Sequence, residues 1–243
     1  MTYMHVPAQT DRARLWAILC LTASIAFAMV PFFATPFGGF EADRFPVPVT
    51  DLPIQPAGWA FSIWGVIYLW LILSTGYGLF KRDDDARWTG HRPWLFVSLS
   101  VGAAWIPVAN VSPIWATVLI LVMLVTALVA LAKAPIIERA WARWPIGLYA
   151  GWLTAASFVS LATITAGYGI ASPELASWVA LPIAIIVAAA ITWRVWTWTY
   201  PLAVMWAAVG IAIAAWPSGF AWGAAGGACL MMAFASMAVA RRM

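Results

Sequence analysis

The sequence predicts an all-α, polytopic membrane helix bundle of about eight transmembrane helices with both termini cytoplasmic. Three observations predict it. Of 243 residues, 64% are apolar and only 9% charged, where soluble domains carry roughly 45–50% and about 25%; mean hydropathy is +0.89. Eight apolar runs near the ~20 residues that cross a bilayer are separated by Pro, Gly and charged breaks. Twelve of the 13 Lys and Arg residues fall on one side of those eight spans. The composition excludes a soluble enzyme, a disordered tail and, despite a net charge of +4, a nucleic-acid binder.

The first run, residues 15–37, follows Arg12 and Arg14. Ala26-Phe27-Ala28 resembles a signal-peptidase site, but the apolar run continues well past it, so an uncleaved span is expected. Residues 38–55 then form the largest loop, with Pro46, Pro48 and Pro53. Proline fixes φ and removes a donor, so this loop is expected to be extended, semi-rigid and long enough to cover the outer end of the bundle as a lid. In the second run, residues 57–80, a step of 100° per residue puts Phe61, Trp64, Tyr68 and Thr75 on one face and Trp59, Trp70 and Tyr77 roughly opposite. One stripe is expected to meet neighbouring helices and the other lipid.

The third and fourth runs, 94–110 and 114–133, read as a tight helical hairpin through Val111-Ser112-Pro113. The fifth, 146–167, carries two rows. Gly147, Gly151 and Ala155 form a small-xxx-small surface that lets another helix approach closely. Trp152, Ala156 and Ser160 place a large ring, then space, then a hydroxyl, which reads equally as a half-pocket or a packing row. The last three runs are 176–193, 198–216 and 221–240, and Gly223 and Gly227 repeat the small pattern in the eighth. Pro107, Pro182 and Pro201 are candidates for kinks.

With eight spans, both termini and every second loop share the side that holds Arg12, Arg14, Lys81, Arg82, Arg87, Arg92, Lys133, Arg139, Arg143, Arg194, Arg241 and Arg242. Only Arg44 lies opposite, with Glu41, Asp43, Asp51 and Glu174. The positive-inside rule makes the cation-rich side cytoplasmic.

No Asp, Glu, Lys or Arg lies near the middle of any span, where ion-coupled carriers hold ionisable groups. The histidines, His5 and His91, sit at the cytoplasmic edge without a second ligand at zinc spacing; both read as solvated loop residues. Asp83-Asp84-Asp85 reads as a solvated turn, and Cys20 and Cys229 as small apolar residues within spans. No phosphate loop, nucleophile elbow or paired carboxylates are present, so no catalytic residues and no metal ligands are assigned. What the spans offer instead is aromatic surface, suited to stacking against a flat ligand, with a few hydroxyls.

The second-span stretch Gln55-Pro56-Ala57-Gly58-Trp59-Ala60-Phe61-Ser62-Ile63-Trp64-Gly65-Val66-Ile67-Tyr68 resembles the signature of the TspO/MBR family, the tryptophan-rich sensory proteins related to the mitochondrial translocator protein. Ala104-Trp105-Ile106-Pro107 resembles the family's third-helix Trp-x-Pro, and Leu148-Tyr149-Ala150-Gly151-Trp152-Leu153-Thr154-Ala155-Ala156 its fifth-helix motif. The resemblance covers about residues 15–167. It implies a five-helix bundle over residues 1–167, with three additional helices over 168–243 packed on it, as in a longer bacterial branch of the family. It implies an outer-leaflet pocket for porphyrin, haem or another flat lipophilic molecule, lined or supported by Trp59, Phe61, Trp64, Tyr68, Trp105, Trp152 and Ala156. Departures from the family pattern are Gly102 and Ser160 where Asn residues are expected, and no fourth-helix Asp.

These readings converge on a non-catalytic binding or sensory protein of the bacterial inner membrane. Its ligand site would hold the seven residues above plus Ser160, with Ser62, Tyr68 and Ser160 orienting polar edges. An assembly subunit of a larger, pigment–protein membrane complex is the alternative, docked through the last three spans and the Trp193, Trp196 and Trp198 cluster. Facilitated transport of an apolar metabolite is a third. Compatible partners are membrane lipid, a lipophilic small molecule, and a second copy of the chain or a larger complex.

Overall fold

A computed structural model of the chain describes residues 8–35 and 39–241. His5, Arg242, the last residues of the first expected run and Gly38 at the start of the loop lie outside the described residues. Among the described residues the architecture is all-helical, with eight long helices. They are α1 (Ala8–Phe33), α2 (Ile63–Lys81), α3 (Arg92–Ala109), α4 (Pro113–Lys133), α5 (Arg143–Gly167), α6 (Pro173–Val195), α7 (Thr199–Ala214) and α8 (Gly219–Ala240). Each falls on one of the eight apolar runs. A one-turn helix, Ala86–Thr89, lies between α2 and α3, and short 3₁₀ turns occupy Ala42–Arg44 and Gly58–Ser62.

Helix ends follow local chemistry. Pro113 and Pro173 stand at the first turns of α4 and α6, where the missing N–H has no intrahelical partner to lose. The preceding Ser112 and Ser172 cap those turns, accepting from the Trp115 and Leu175 N–H groups. The α3–α4 connection is the tight hairpin expected. Six helices are long and apolar enough to cross a membrane, which makes this a multi-pass membrane protein. The other two are α3, which opens on Arg92 and Pro93, and α7, which has only 16 residues.

At the centre stands α5, buried along most of its length and packed on α2, α4, α6 and α7. Its small row explains the approach of α7. A Cβ at Gly147 would lie 2.5 Å from Thr199 Oγ1, and one at Gly151 would overlap the Tyr200 carbonyl oxygen. Alongside them, Thr154 Oγ1 and Tyr200 OH share a 2.7 Å hydrogen bond. Gly223 and Gly227 of α8 face α6, at Trp178 and Ile185.

Among the described residues, Arg14, Arg82, Arg143 and Arg241, all assigned to one side, are engaged at one end of the bundle. Arg14 pairs with Asp83 at 3.8 Å, Arg82 with Glu138, and Arg143 donates to the carbonyls of Ala134 and Val195. Arg241 stands 3.6 Å over the Trp196 ring and 5.1 Å over Trp193, while Trp198 packs edge-on to Trp144. All three rings of that tryptophan cluster are thus engaged within the chain.

The two faces of α2 depart from expectation. Phe61, Trp64, Tyr68 and Thr75 do point inward. The opposite stripe also meets protein: Trp70 donates to the Ala140 carbonyl, Tyr77 stacks on Trp141 at 4.9 Å, and Trp59 packs on Trp206. The segment before α5 folds over one end of α2 and α7 over the other. The outward face carries Val66, Leu69, Leu73 and Phe80 instead.

Candidate functional site

One cavity, of about 430 Å³, opens beneath the loop that follows α1. Its floor and one wall come from α5, where Trp152, Ala155, Ala156, Val159, Ser160 and Thr163 recur at three- and four-residue steps and so share a helix face. The two alanines leave the room; a larger side chain at either would fill it. Phe61 enters from the 3₁₀ turn before α2, Trp105 from α3, Ile120 from α4, and Ala207 and Ala214 from α7. The roof is the loop itself, through Gly39, Phe40, Val49–Leu52 and Gln55.

The loop is strapped down at several points. Phe45 is buried against Gly167, where a Cβ would overlap its ring, and Val47 N–H donates to the Gly167 carbonyl at 3.0 Å. Ile54 is buried, and its N–H donates to Ser177 Oγ of α6. The 3₁₀ turn that carries Phe61 is held by α7. Trp206 Nε1 donates to the Ala60 carbonyl at 2.8 Å, and Ala57 N–H to the Gly210 carbonyl at 3.1 Å. Gly210 is required there, because a Cβ would lie 2.8 Å from that of Ala60.

Of the eight expected ligand residues, Phe61, Trp105, Trp152, Ala156 and Ser160 line this cavity. Trp64 and Tyr68 do not; they stack on each other at 5.3 Å in a layer behind it, with Trp64 edge-on to Trp152 at 6.1 Å. Phe27 of α1 closes that layer, edge-on to Trp64 and Tyr68 at 5.6 and 5.0 Å. Such pairs each contribute ~0.5–1.5 kcal/mol beyond burial. The Phe27 ring also accounts for Gly102, where a Cβ would lie 2.7 Å from it. An Asn at that position has no room. Trp59 stands outside, 42% exposed against Trp206, and Ser62 is exposed as well.

The polar groups of the cavity are few. Thr117 Oγ1 lies 2.9 Å from the Pro113 carbonyl and shares a 2.6 Å hydrogen bond with Ser160 Oγ, in which either hydroxyl can donate. Thr163 gives its proton to the Val159 carbonyl, and Trp105 Nε1 to that of Ala116. Trp152 is buried, and its Nε1–H has no acceptor among the described residues. Asp51, Gln55, Thr163 and Ala207 were not singled out by the sequence. Of these, only Thr163 carried a local signal, one turn beyond Ser160 on the same face.

A second polar cluster lies at the opposite, cation-rich end. Arg92 is buried, and its guanidinium donates to the carbonyls of Ala13, Gly78, Arg82 and Asp83 at 2.6–3.2 Å. Cys20 Sγ donates to the Arg92 carbonyl at 3.1 Å. His91 is not the solvated residue its position suggested. It is 3% exposed, beneath Trp88, with no partner for Nδ1 among the described residues. Burial, then the neighbouring Arg92 cation, pushes its pKa down to about 3. Asp83 pairs with Arg14, and Asp85 caps the one-turn helix and pairs with Arg87, which holds its pKa down at about 2. Among the described residues no group of His, Cys, Asp and Glu is placed to hold a metal ion.

The family model described as TSPO-like protein matches residues 13–239. That match reaches beyond Gly167 and takes in all eight long helices. Comparison with curated proteins and with solved structures gave no match.

Proposed function

The chain belongs to the TSPO-like protein family, and from that premise we propose that it binds a tetrapyrrole, such as a porphyrin or haem, or a similar flat lipophilic molecule in the cavity under the loop. Members of this family are generally non-enzymatic membrane proteins, and the role proposed is binding or sensing rather than catalysis. The observation that carries the reading is the cavity itself. Its 430 Å³ falls within the ~300–1,000 Å³ of small-molecule sites, its walls are mostly apolar and aromatic, and a strapped loop roofs it. Ring stacking and burial would supply affinity.

The protein is placed by this reading in the plasma membrane of a bacterium, cation-rich end and both termini toward the cytoplasm. Lipid and the small molecule are then its partners. A cysteine introduced at Asp84 would react with a membrane-impermeant maleimide only after lysis, and one at Asp43 in intact cells. The reverse pattern would invert the orientation.

Binding is tested by titrating purified protein in lipid nanodiscs with protoporphyrin IX and with its dimethyl ester, following the Soret band. Saturable binding of at least one, weakened tenfold or more by Ala156→Phe but not by the outward-facing Leu69→Phe, is expected. Saturable binding unaffected by Ala156→Phe would move the ligand out of this cavity.

A further inference from the structure

Asp51 is the one charged residue on the cavity lining. It belongs to an outer end where Glu41, Asp43, Asp51 and Glu174 stand against Arg44 alone, and Arg44 is already paired with Glu41 at 3.4 Å. On the helix wall Thr163 donates to the Val159 carbonyl and Ser160 shares a hydrogen bond with Thr117, while Thr50 and Gln55 bring a hydroxyl and a carboxamide to the roof. Among the described residues, the fully buried donor on this lining without an acceptor is the Trp152 indole N–H. A carboxylate entering this site meets one carboxylate at the mouth, no cation on the lining, and only neutral donors, the deep Trp152 N–H and the Thr50 and Gln55 side chains of the roof. With no cation on the lining, a buried carboxylate gives up its hydration without gaining a counter-charge.

From this inventory we infer that the cavity selects uncharged ligands, with a neutral acceptor such as an ester or ketone carbonyl for Trp152, over dicarboxylate ligands of the same ring shape. The inference rests on the ligand-binding reading above and narrows its chemical class. A positively charged or donor-bearing edge is tolerated at the Asp51 mouth, where it meets an acceptor.

Protoporphyrin IX and its dimethyl ester separate the idea cleanly, because they share a macrocycle and differ by two carboxylate charges. Dissociation constants are measured in nanodiscs of zwitterionic lipid at pH 7.4, corrected for partitioning into empty nanodiscs. The ester is expected to bind at least tenfold more tightly. Asp51→Asn is expected to narrow that ratio threefold or more, and Asp51→Lys to bring the diacid to parity. Diacid binding as tight as the ester in the unchanged protein, or a ratio unmoved by both variants, would overturn the selectivity while leaving the cavity as a ligand site. Failure of both probes to bind would overturn the parent reading and this one with it.

Discussion

Gly151→Ala isolates the contact on which the α5–α7 packing depends. The new Cβ would overlap the Tyr200 carbonyl oxygen and lie 3.0 Å from Ala203 Cβ. A backbone oxygen cannot rotate aside, so the helices must separate by about 1 Å, an overpacking cost of ~1–3 kcal/mol. Separation also stretches the 2.7 Å Thr154–Tyr200 hydrogen bond, and interhelical bonds of this kind contribute ~0.6–2 kcal/mol in membranes. The expected loss is therefore about 2–4 kcal/mol. The assay is SDS titration from dodecylmaltoside micelles, read by tryptophan fluorescence. Gly76→Ala is the matched control, since nothing lies within 4 Å of a Cβ there, and it should be neutral or slightly stabilising. Adding Ala203→Gly should not rescue Gly151→Ala, because the backbone clash remains. Equal stability of Gly151→Ala and Gly76→Ala would refute the packing argument.

Three further outcomes are expected. Arg92→Met leaves four buried or half-buried carbonyls without their donor and should cost ~3 kcal/mol or more, measured by the same titration. His91 is neutral when folded, with a pKa near 3 against ~6.5 unfolded. Its contribution is fully present above pH 6.5 and is lost as pH falls toward 3, so stability should drop between pH 6.5 and 4.5. The lowered carboxylates of Asp85 and Glu138 act below that window, and His91→Gln should flatten it; an unchanged slope would show that another group titrates there. Trp206→Phe removes the donor to the Ala60 carbonyl and should cost ~1 kcal/mol, with weaker porphyrin binding as Phe61 loses its support.

The long helices were legible because hydropathy is a local signal; the Ser112-Pro113 and Ser172-Pro173 caps place two of their starts slightly ahead of the apolar runs at 114 and 176. The α5 rows were legible for a similar reason, since a glycine every fourth residue aligns on one face whatever packs there. The two faces of α2 were not, because Trp59 and Trp70 are as apolar against lipid as against α7 or the segment before α5. His91 misled for the opposite reason. A histidine in a charged loop reads as solvated until Trp88 closes over it.

The linear sequence carries a membrane bundle of eight helices and the bias of 12 of its 13 cations to one side. Those are properties of runs and alternation along the chain, and a low-dielectric surrounding enforces them residue by residue. Three-dimensional packing alone makes Phe61, Trp105 and Trp152 bound a cavity while Trp64 and Tyr68 back it, gives Phe27 the space beside Gly102, and leaves Trp152 without an acceptor among the described residues. Each of these depends on distances between side chains far apart in sequence, and an apolar environment leaves hydropathy unable to tell a lipid neighbour from a protein one.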